Sequence, residues 1–206
     1  MKRTVVFDTE TESLNLRLSR PWQLSYVICD DWKILEKHDY ILDVPNFNIS
    51  ADAARTTKFS WDRYNARKED PVPRLKQFQE LMRDPDTTLV AHNGIGFDIY
   101  QLKNIYQEFG FVWDWDWMNN GLMQDSNCVA KALKENLPFP DRKCDILPWM
   151  FKLNNYHRRG LKTSVAFLLK EYDVPHDEKR LHDGLYDVEM TFEIHKRQKY
   201  ERQLPV

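Results

Sequence analysis

The sequence predicts an α/β fold: a mixed five-stranded sheet, built from a three-strand antiparallel meander plus parallel strands, with helices on both faces. Three observations predict it. Segments rich in β-branched and aromatic residues, joined by short connections, crowd the stretch from Val5 to Leu42. After Pro73, compact apolar runs alternate with stretches whose apolar residues recur every three or four positions. Strands first, then strand–helix alternation, is the order that a mixed sheet covered by helices produces.

The 206 residues fit one domain, 1–206, with an irregular insertion at about 44–73. A hydrophobic fraction of 42% supplies a full core. The formal charge of -2, from 30 basic and 32 acidic residues, argues against a polybasic binder that neutralises many phosphates at once. Cys29, Cys128 and Cys144 are far apart and form no CxxC pair, so neither a zinc knuckle nor a disulfide scaffold is suggested. A cytoplasmic, reducing location is the expectation. Met1–Thr4 enters a strand with no apolar leader. No run approaches the roughly 18 apolar residues of a membrane span, so no membrane association is expected.

The first strand is Val5-Val6-Phe7-Asp8-Thr9-Glu10. Strand side chains repeat with period two, so Asp8 and Glu10 leave one face at the end of the element. Two solvated acids on a surface strand end would explain that pair alone. Half of a divalent-metal site would explain it too, given further acids, because like charges this close repel unless a cation lies between them. A second strand follows over Trp22–Asp30, where Leu24, Tyr26 and Ile28 alternate. Asp31-Trp32-Lys33 turns the chain into a third, Ile34–Leu42.

From Val44 to Pro73 the pattern is irregular. Ser50 can cap a short helix. Trp61 and Tyr64 alternate with Arg55, Lys58, Arg63, Arg67 and Lys68. That mixture suits either single-stranded nucleic acid, by stacking and phosphate pairing, or an amphipathic helix packing Trp61 on the core. A helix is predicted from Pro73 to about Met82, with Leu75, Phe78, Leu81 and Met82 on one side. Thr87–Ala91 is a compact strand. His92-Asn93-Gly94-Ile95-Gly96-Phe97-Asp98 follows as a loop whose glycines permit unusual φ values or a close backbone approach. Ile99, Leu102, Ile105, Tyr106 and Phe109 then mark a helix with Asp98 in its first turn, where a carboxylate is electrostatically favoured.

Trp113, Trp115 and Trp117 alternate with aspartates. They fit a base-stacking stripe, or tryptophans covering a sheet edge or packing under a loop. Leu122–Asp125 is a predicted strand, Val129–Leu137 a helix, and Pro138–Pro148 a loop. Arg158, Arg159 and Lys162 cluster near a tyrosine and are candidate phosphate contacts; a solvated turn explains them as well. Thr163–Tyr172 is a predicted helix. The last element is a long helix from Tyr186 to about Gln203 with Asp187 in its first turn. His182 lies five residues before Asp187, about 140° away in azimuth on a continuous helix. It therefore belongs on the preceding loop, where it can fold back over the carboxylate.

Asp8, Glu10, Asp98 and Asp187 are thus four acids at element ends, with His182 beside the last. Phe7-Asp8-Thr9-Glu10-Thr11, then His92-Asn93 with Phe97-Asp98, then His182 with Asp187, resemble the three exonuclease motifs of the DnaQ-like 3'-5' exonucleases. The histidine assigns the DEDDh branch of the ribonuclease H-like superfamily. The resemblance runs from residue 5 to residue 195. Each motif alone is weak; three in order, each at the expected structural junction, are specific. Two departures stand out. Glu12-Ser13 follows Thr11 where many members have Thr-Gly, which adds a negative charge that either opposes substrate or points to solvent. Three residues separate Asn93 from Phe97 where the commonest proofreading subunits have two. Neither removes an acid or the histidine.

The resemblance implies metal-dependent hydrolysis of phosphodiester bonds from a 3' end, releasing nucleoside 5'-monophosphates. Two Mg²⁺ or Mn²⁺ ions per active site, about 3.5–4 Å apart, would be held by hard carboxylate oxygens. By similarity Asp8 bridges both ions, Glu10 and Asp98 complete one side, and Asp187 holds the ion that carries the attacking water. His182 is the implied general base. Thr9, Thr11, Leu14, His92, Asn93 and Phe97 are implied substrate contacts, with Leu14 or Leu16 as a wedge on the terminal base. Asn93 serves equally as a simple loop cap. His38, His157, His176 and His195 are read as non-catalytic. The expected substrate is single-stranded or frayed DNA, in proofreading, repair or processing. RNA ends are the alternative, since local shape reads the 2'-hydroxyl. A non-catalytic nucleic-acid-binding subunit is the alternative of another class. Any replication or repair role would require a separate protein partner. The sequence places no constraint on oligomeric state.

Overall fold

The computed structural model describes residues 3–30, 32–119 and 123–201. Asp31 of the expected turn, Leu122 of the expected strand and Arg202 and Gln203 of the expected long helix lie outside the described residues, as do Met1 and Lys2. Strands β1 (Arg3–Thr11), β2 (Pro21–Cys29) and β3 (Ile34–Leu42) form the antiparallel meander. Strand β5 (Thr87–Ala91) lies parallel to β1, and β6 (Met123–Asp125) parallel to β5.

Among the described residues the sheet has six strands rather than five. The addition is β4, the two residues Lys68–Glu69, which pair in parallel with Ile41 and Leu42 at the edge. Two charged residues carry no apolar alternation, so this strand leaves no mark in the sequence. The order across the sheet is β4-β3-β2-β1-β5-β6, which puts the acid-bearing β1 near its centre.

Alternation along β1 divides the core. Val5 and Phe7 face a large cluster with Phe78, Leu102 and Ile105, and Phe7 meets Phe78 edge to face at 5.4 Å. These partners come from α3 (Pro71–Arg83) and α4 (Asp98–Glu108). Val6, with Val27 and Val90, faces Val188 and Phe192 on the long helix α9 (Gly184–Glu201). Each fully buried side chain of this size contributes about 1.5–3 kcal/mol of hydrophobic stabilisation. The same period sends Asp8 and Glu10 toward α9, and Thr9 toward α4. A third cluster, with Leu168, Leu169, Leu181, Tyr186 and Ile194, supports the segment before α9.

The insertion is more regular than the sequence suggests. It holds α1 (Ala51–Thr56), capped by the Ser50 hydroxyl, and α2 (Trp61–Arg67), capped by Ser60. Tyr64, not Trp61, is the residue buried there: its hydroxyl donates to the Leu42 carbonyl at 3.1 Å and accepts from Val44 N–H at 3.1 Å. Trp61 is 52% exposed and leans edge-on against Phe47, Phe59 and Tyr64.

Other boundaries shift for local reasons. Asp70 caps α3, so it starts at Pro71 rather than Pro73, with proline in the first turn where a missing N–H is harmless. Helix α6 spans Ser126–Lys134, because Asp125 caps it earlier than its apolar face begins. The expected loop to Pro148 ends early: α7 spans Ile146–Asn154 and carries Pro148 in its first turn. Helix α8 covers Val165–Glu171. In the tryptophan stretch, a short helix α5 (Asp116–Asn119) buries Trp117, and Trp113 packs on Tyr106. Only Trp115 is exposed among the three. Among the described residues no helix is long and apolar enough to cross a membrane.

Candidate active site

Strand β1 ends at the carboxylates. Oxygen atoms of Asp8, Glu10 and Asp187 lie within 4.8 Å of one another. Asp187 stands in the first turn of α9, which crosses that face of β1. Gly184 lets the helix start so close to the sheet: a Cβ there would lie 2.7 Å from Ser25 Oγ and 3.2 Å from Gln23 Nε2. Asp98 arrives from the other face. Its Oδ1 accepts from Thr9 N–H at 3.0 Å and from the Thr9 hydroxyl at 2.6 Å.

Burial raises all four acids, and repulsion from neighbouring carboxylates adds to it. Asp8 is held well above the usual carboxylate range by desolvation and then by Asp98, Glu10 and Asp187. Desolvation, Asp187 and Asp98 push Glu10 up to about 8. Asp98 rises to about 6, mainly by desolvation, against the opposing pull of the Thr9 bonds. Asp187 also rises to about 6 by desolvation, although His182 N–H donates to its Oδ2 at 2.9 Å. Its other oxygen, Oδ1, is buried with no hydrogen-bond partner among the described residues. Three convergent carboxylates and an orphaned buried oxygen suit a hard divalent cation, which would meet the missing contact and remove the repulsion.

His182 lies on the loop before α9, exposed, with its backbone at φ 66°. That is left-handed backbone, uncommon outside glycine. Desolvation, and then Lys58, lower the imidazole below its ordinary range, which favours the neutral ring.

A second loop holds the far wall. Asp125 is fully buried, and its carboxylate accepts from the backbone N–H groups of Asn93, Ile95, Asn127 and Cys128 at 2.9–3.2 Å. Asp125 thus caps α6 and ties down the loop that leads to Asp98. Gly96 leaves room there for two asparagine side chains, since a Cβ would sit 2.6 Å from Asn154 Oδ1 and 2.7 Å from Asn93 Oδ1. Beyond this loop a groove of about 880 Å³ opens from His182 and Asp187 past Asn93 and Asn127 toward Asn155 and Arg158. Its wall is rich in amides and imidazoles, groups that hydrogen-bond bases and phosphates alike.

The remaining sequence candidates fall as follows. His92 lines the groove, with Nδ1 2.9 Å from Ser126 Oγ. Asn93, at φ 64°, also lines it. Phe97 is the half-buried residue just before α4. Thr11 turns its hydroxyl to the Ser13 carbonyl. Leu14 is 84% exposed, free to meet a ligand. Arg158 lines the groove and pairs with Glu135 at 2.9 Å. Arg159 and Lys162 are exposed and do not line that groove. His157 does reach the groove.

Glu12 does neither of the things its charge suggested. It is buried, binds Arg20 through both oxygens at 2.9 and 3.0 Å, and accepts from Asn48 N–H at 3.0 Å. It therefore anchors the insertion to the end of β1. Sequence reasoning also missed Asp125 and did not single out Lys58 from its basic neighbours. Asp125-Ser126, an acid directly before an apolar-periodic helix, was a readable cap signal; Lys58 had none.

Residues 5–195 match the family model described as Exonuclease (RNase T), and the chain belongs to that family. A curated relative, Exodeoxyribonuclease I of Buchnera aphidicola subsp. Schizaphis graminum, is 25% identical over 138 residues. That match takes in 61% of this chain and 27% of the relative, so the chain spans about a quarter of its length. Among solved structures, the zinc-bound form of the E. coli ExoI–ssDNA complex superposes with a TM-score of 0.75 at 18% identity, over 98% of this chain and 41% of that one. Its metal-free form gives 0.73 at 18%, over 98% and 41%. An ExoI/SSB-Ct complex gives 0.73 at 18%, over 98% and 42%. These likenesses establish the fold.

Proposed function

We propose that this chain is a metal-dependent 3'-5' exonuclease domain that removes nucleotides from single-stranded or frayed DNA ends. The observation that carries the reading is the convergence of the Asp8, Glu10 and Asp187 oxygens within 4.8 Å, beside His182 and at the mouth of the groove. Asp8, Glu10, Asp98 and Asp187 would hold two Mg²⁺ or Mn²⁺ ions. Such ions activate water and neutralise charge on a phosphodiester.

The chain's own groups do the rest. Thr9 holds the Asp98 carboxylate in register through two hydrogen bonds. Thr9 so engaged acts through Asp98 rather than on the strand. His182, neutral and at the site's edge, accepts the proton of the attacking water on a ring nitrogen and passes it to solvent. Leu14, or Leu16 at 39% exposure, provides an apolar edge for the terminal base. The Thr11 hydroxyl, donated to the Ser13 carbonyl, holds the chain just before Leu14. Asn93, His92 and Arg158 contact the strand along the groove, and Phe97 packs where the loop meets α4. DNA is favoured over RNA because the named relatives are an exodeoxyribonuclease and ExoI–ssDNA complexes. The ExoI/SSB-Ct complex supports a replication or repair protein as partner.

The test is a time course on 5'-labelled single-stranded DNA, matched RNA and a 3'-mismatched duplex, with Mg²⁺ and with EDTA. A metal-dependent ladder shortening from the 3' end, lost in Asp8→Ala and His182→Ala, is expected. Faster degradation of the RNA would reassign the substrate. Tight binding without any ladder would replace the enzyme with a binding subunit.

A further inference from the structure

We infer that Lys58, from the insertion, is a positioning residue that sets the place of His182. The inference rests on the exonuclease reading above, since it concerns the same histidine. Lys58 Nζ donates to the Lys179 and Leu181 carbonyls, each at 2.6 Å. The Leu181 carbonyl and the His182 N–H belong to one peptide group, and that N–H donates to Asp187 Oδ2 at 2.9 Å. The peptide is therefore gripped at both ends. Fixing its plane fixes the N–Cα bond of His182, and with φ at 66° about that bond the Cβ leaves the backbone in one direction.

The backbone at Lys58 points the same way. Phe59 N–H returns to the Ala54 carbonyl at 2.9 Å, closing α1 with a Schellman turn. Lys58 occupies the left-handed position of that turn at φ 52°, where glycine is the residue without strain. His182 is held at φ 66°. Two strained residues joined through one peptide mark a place where side chains are retained against local preference. The ammonium is also spent on carbonyls, so it is not the phosphate ligand that its basic, aromatic surroundings suggest.

The experiment uses the full chain with Lys58→Met, Lys58→Gly and Lys58→Arg, each also combined with His182→Ala. Lys58→Met is expected to lower kcat by about 10- to 100-fold, as misplacement of a catalytic group does, with KM changed less than about 2-fold. Lys58→Gly should show the same loss, with a smaller fall in Tm than Lys58→Met because its left-handed backbone is relieved. Lys58→Arg should recover part of the rate. In the His182→Ala background the Lys58→Met loss should vanish. Independently of turnover, amide exchange over residues 179–183 should speed up in Lys58→Met. An unchanged kcat, a defect confined to KM, or a full loss persisting without His182 would overturn the inference. A wild type with no turnover would overturn the exonuclease reading alone, and the exchange comparison would still decide the tether.

Discussion

The Thr9 hydroxyl donates to Asp98 Oδ1 at 2.6 Å, joining the end of β1 to the first turn of α4 across 89 residues of sequence. Thr9 N–H reinforces it at 3.0 Å. Because both bonds favour the ionised form, they hold Asp98 down against desolvation, which still lifts it to about 6. Thr9→Val removes one of them. The Asp98 pKa should then rise further, and the acidic limb of the kcat/KM profile should move to higher pH. Unfolding in urea should show a loss of about 1–2 kcal/mol. A profile that stays put would mean that Asp98 does not govern that limb.

The clustered acids make a metal-free stability prediction with a definite sign. Glu10 rises to about 8, and Asp98 and Asp187 to about 6, whereas unfolded carboxyls titrate near about 4. Between those limits the folded chain binds more protons than the unfolded one, so stability is fully present below the unfolded pKa and is lost as pH rises through the folded values. In EDTA, Glu10→Gln should therefore exceed the wild type by more than about 1 kcal/mol near pH 8, and the gap should close by about pH 5. Added Mn²⁺ should raise the wild-type Tm and leave the variant nearly unmoved. Parallel wild-type and variant curves across that range would contradict the assignment.

Asp125 is the structural anchor of the loop that precedes Asp98. Asp125→Asn keeps its size but puts an NH2 in place of one oxygen, against either Ile95 N–H or the N–H groups of Asn93, Asn127 and Cys128. A loss of about 2–3 kcal/mol in chemical denaturation is expected. Because the amide replaces one of the two accepting oxygens, either Ile95 or Asn93 loses its partner, so the rate should fall as well, although Asp125 is outside the cluster of acids. Full stability in the variant would show that the loop is held by its other contacts.

Arg158 and Arg159 separate two descriptions of the basic segment. Only Arg158 lines the groove. Arg158→Ala should weaken binding of a single-stranded oligonucleotide and reduce the slope of log K against log salt by about 0.7, the share of one phosphate. Arg159→Ala should leave both unchanged. Equal effects from the two would place the strand outside the groove.

What the sequence by itself determined was local. Period two sent Asp8 and Glu10 to one face of β1, and the three- and four-residue recurrence put Asp98 and Asp187 in the first turns of α4 and α9. Those periods depend on backbone geometry alone, so the order of the acids and the place of His182 ahead of its helix were legible without coordinates. Only the tertiary structure decided what neutralises each charge. Glu12 read as an extra acid beside the site, yet Arg20 and Asn48 N–H absorb it. Lys58 was one of several basic residues in an aperiodic insertion, yet it reaches the Leu181 carbonyl across 123 residues. Arg158, Arg159 and Lys162 are neighbours in the chain, but one alone turns into the groove. Contacts of that kind depend on how distant segments pack, and a charged side chain carries no periodic signal of the partner it will find.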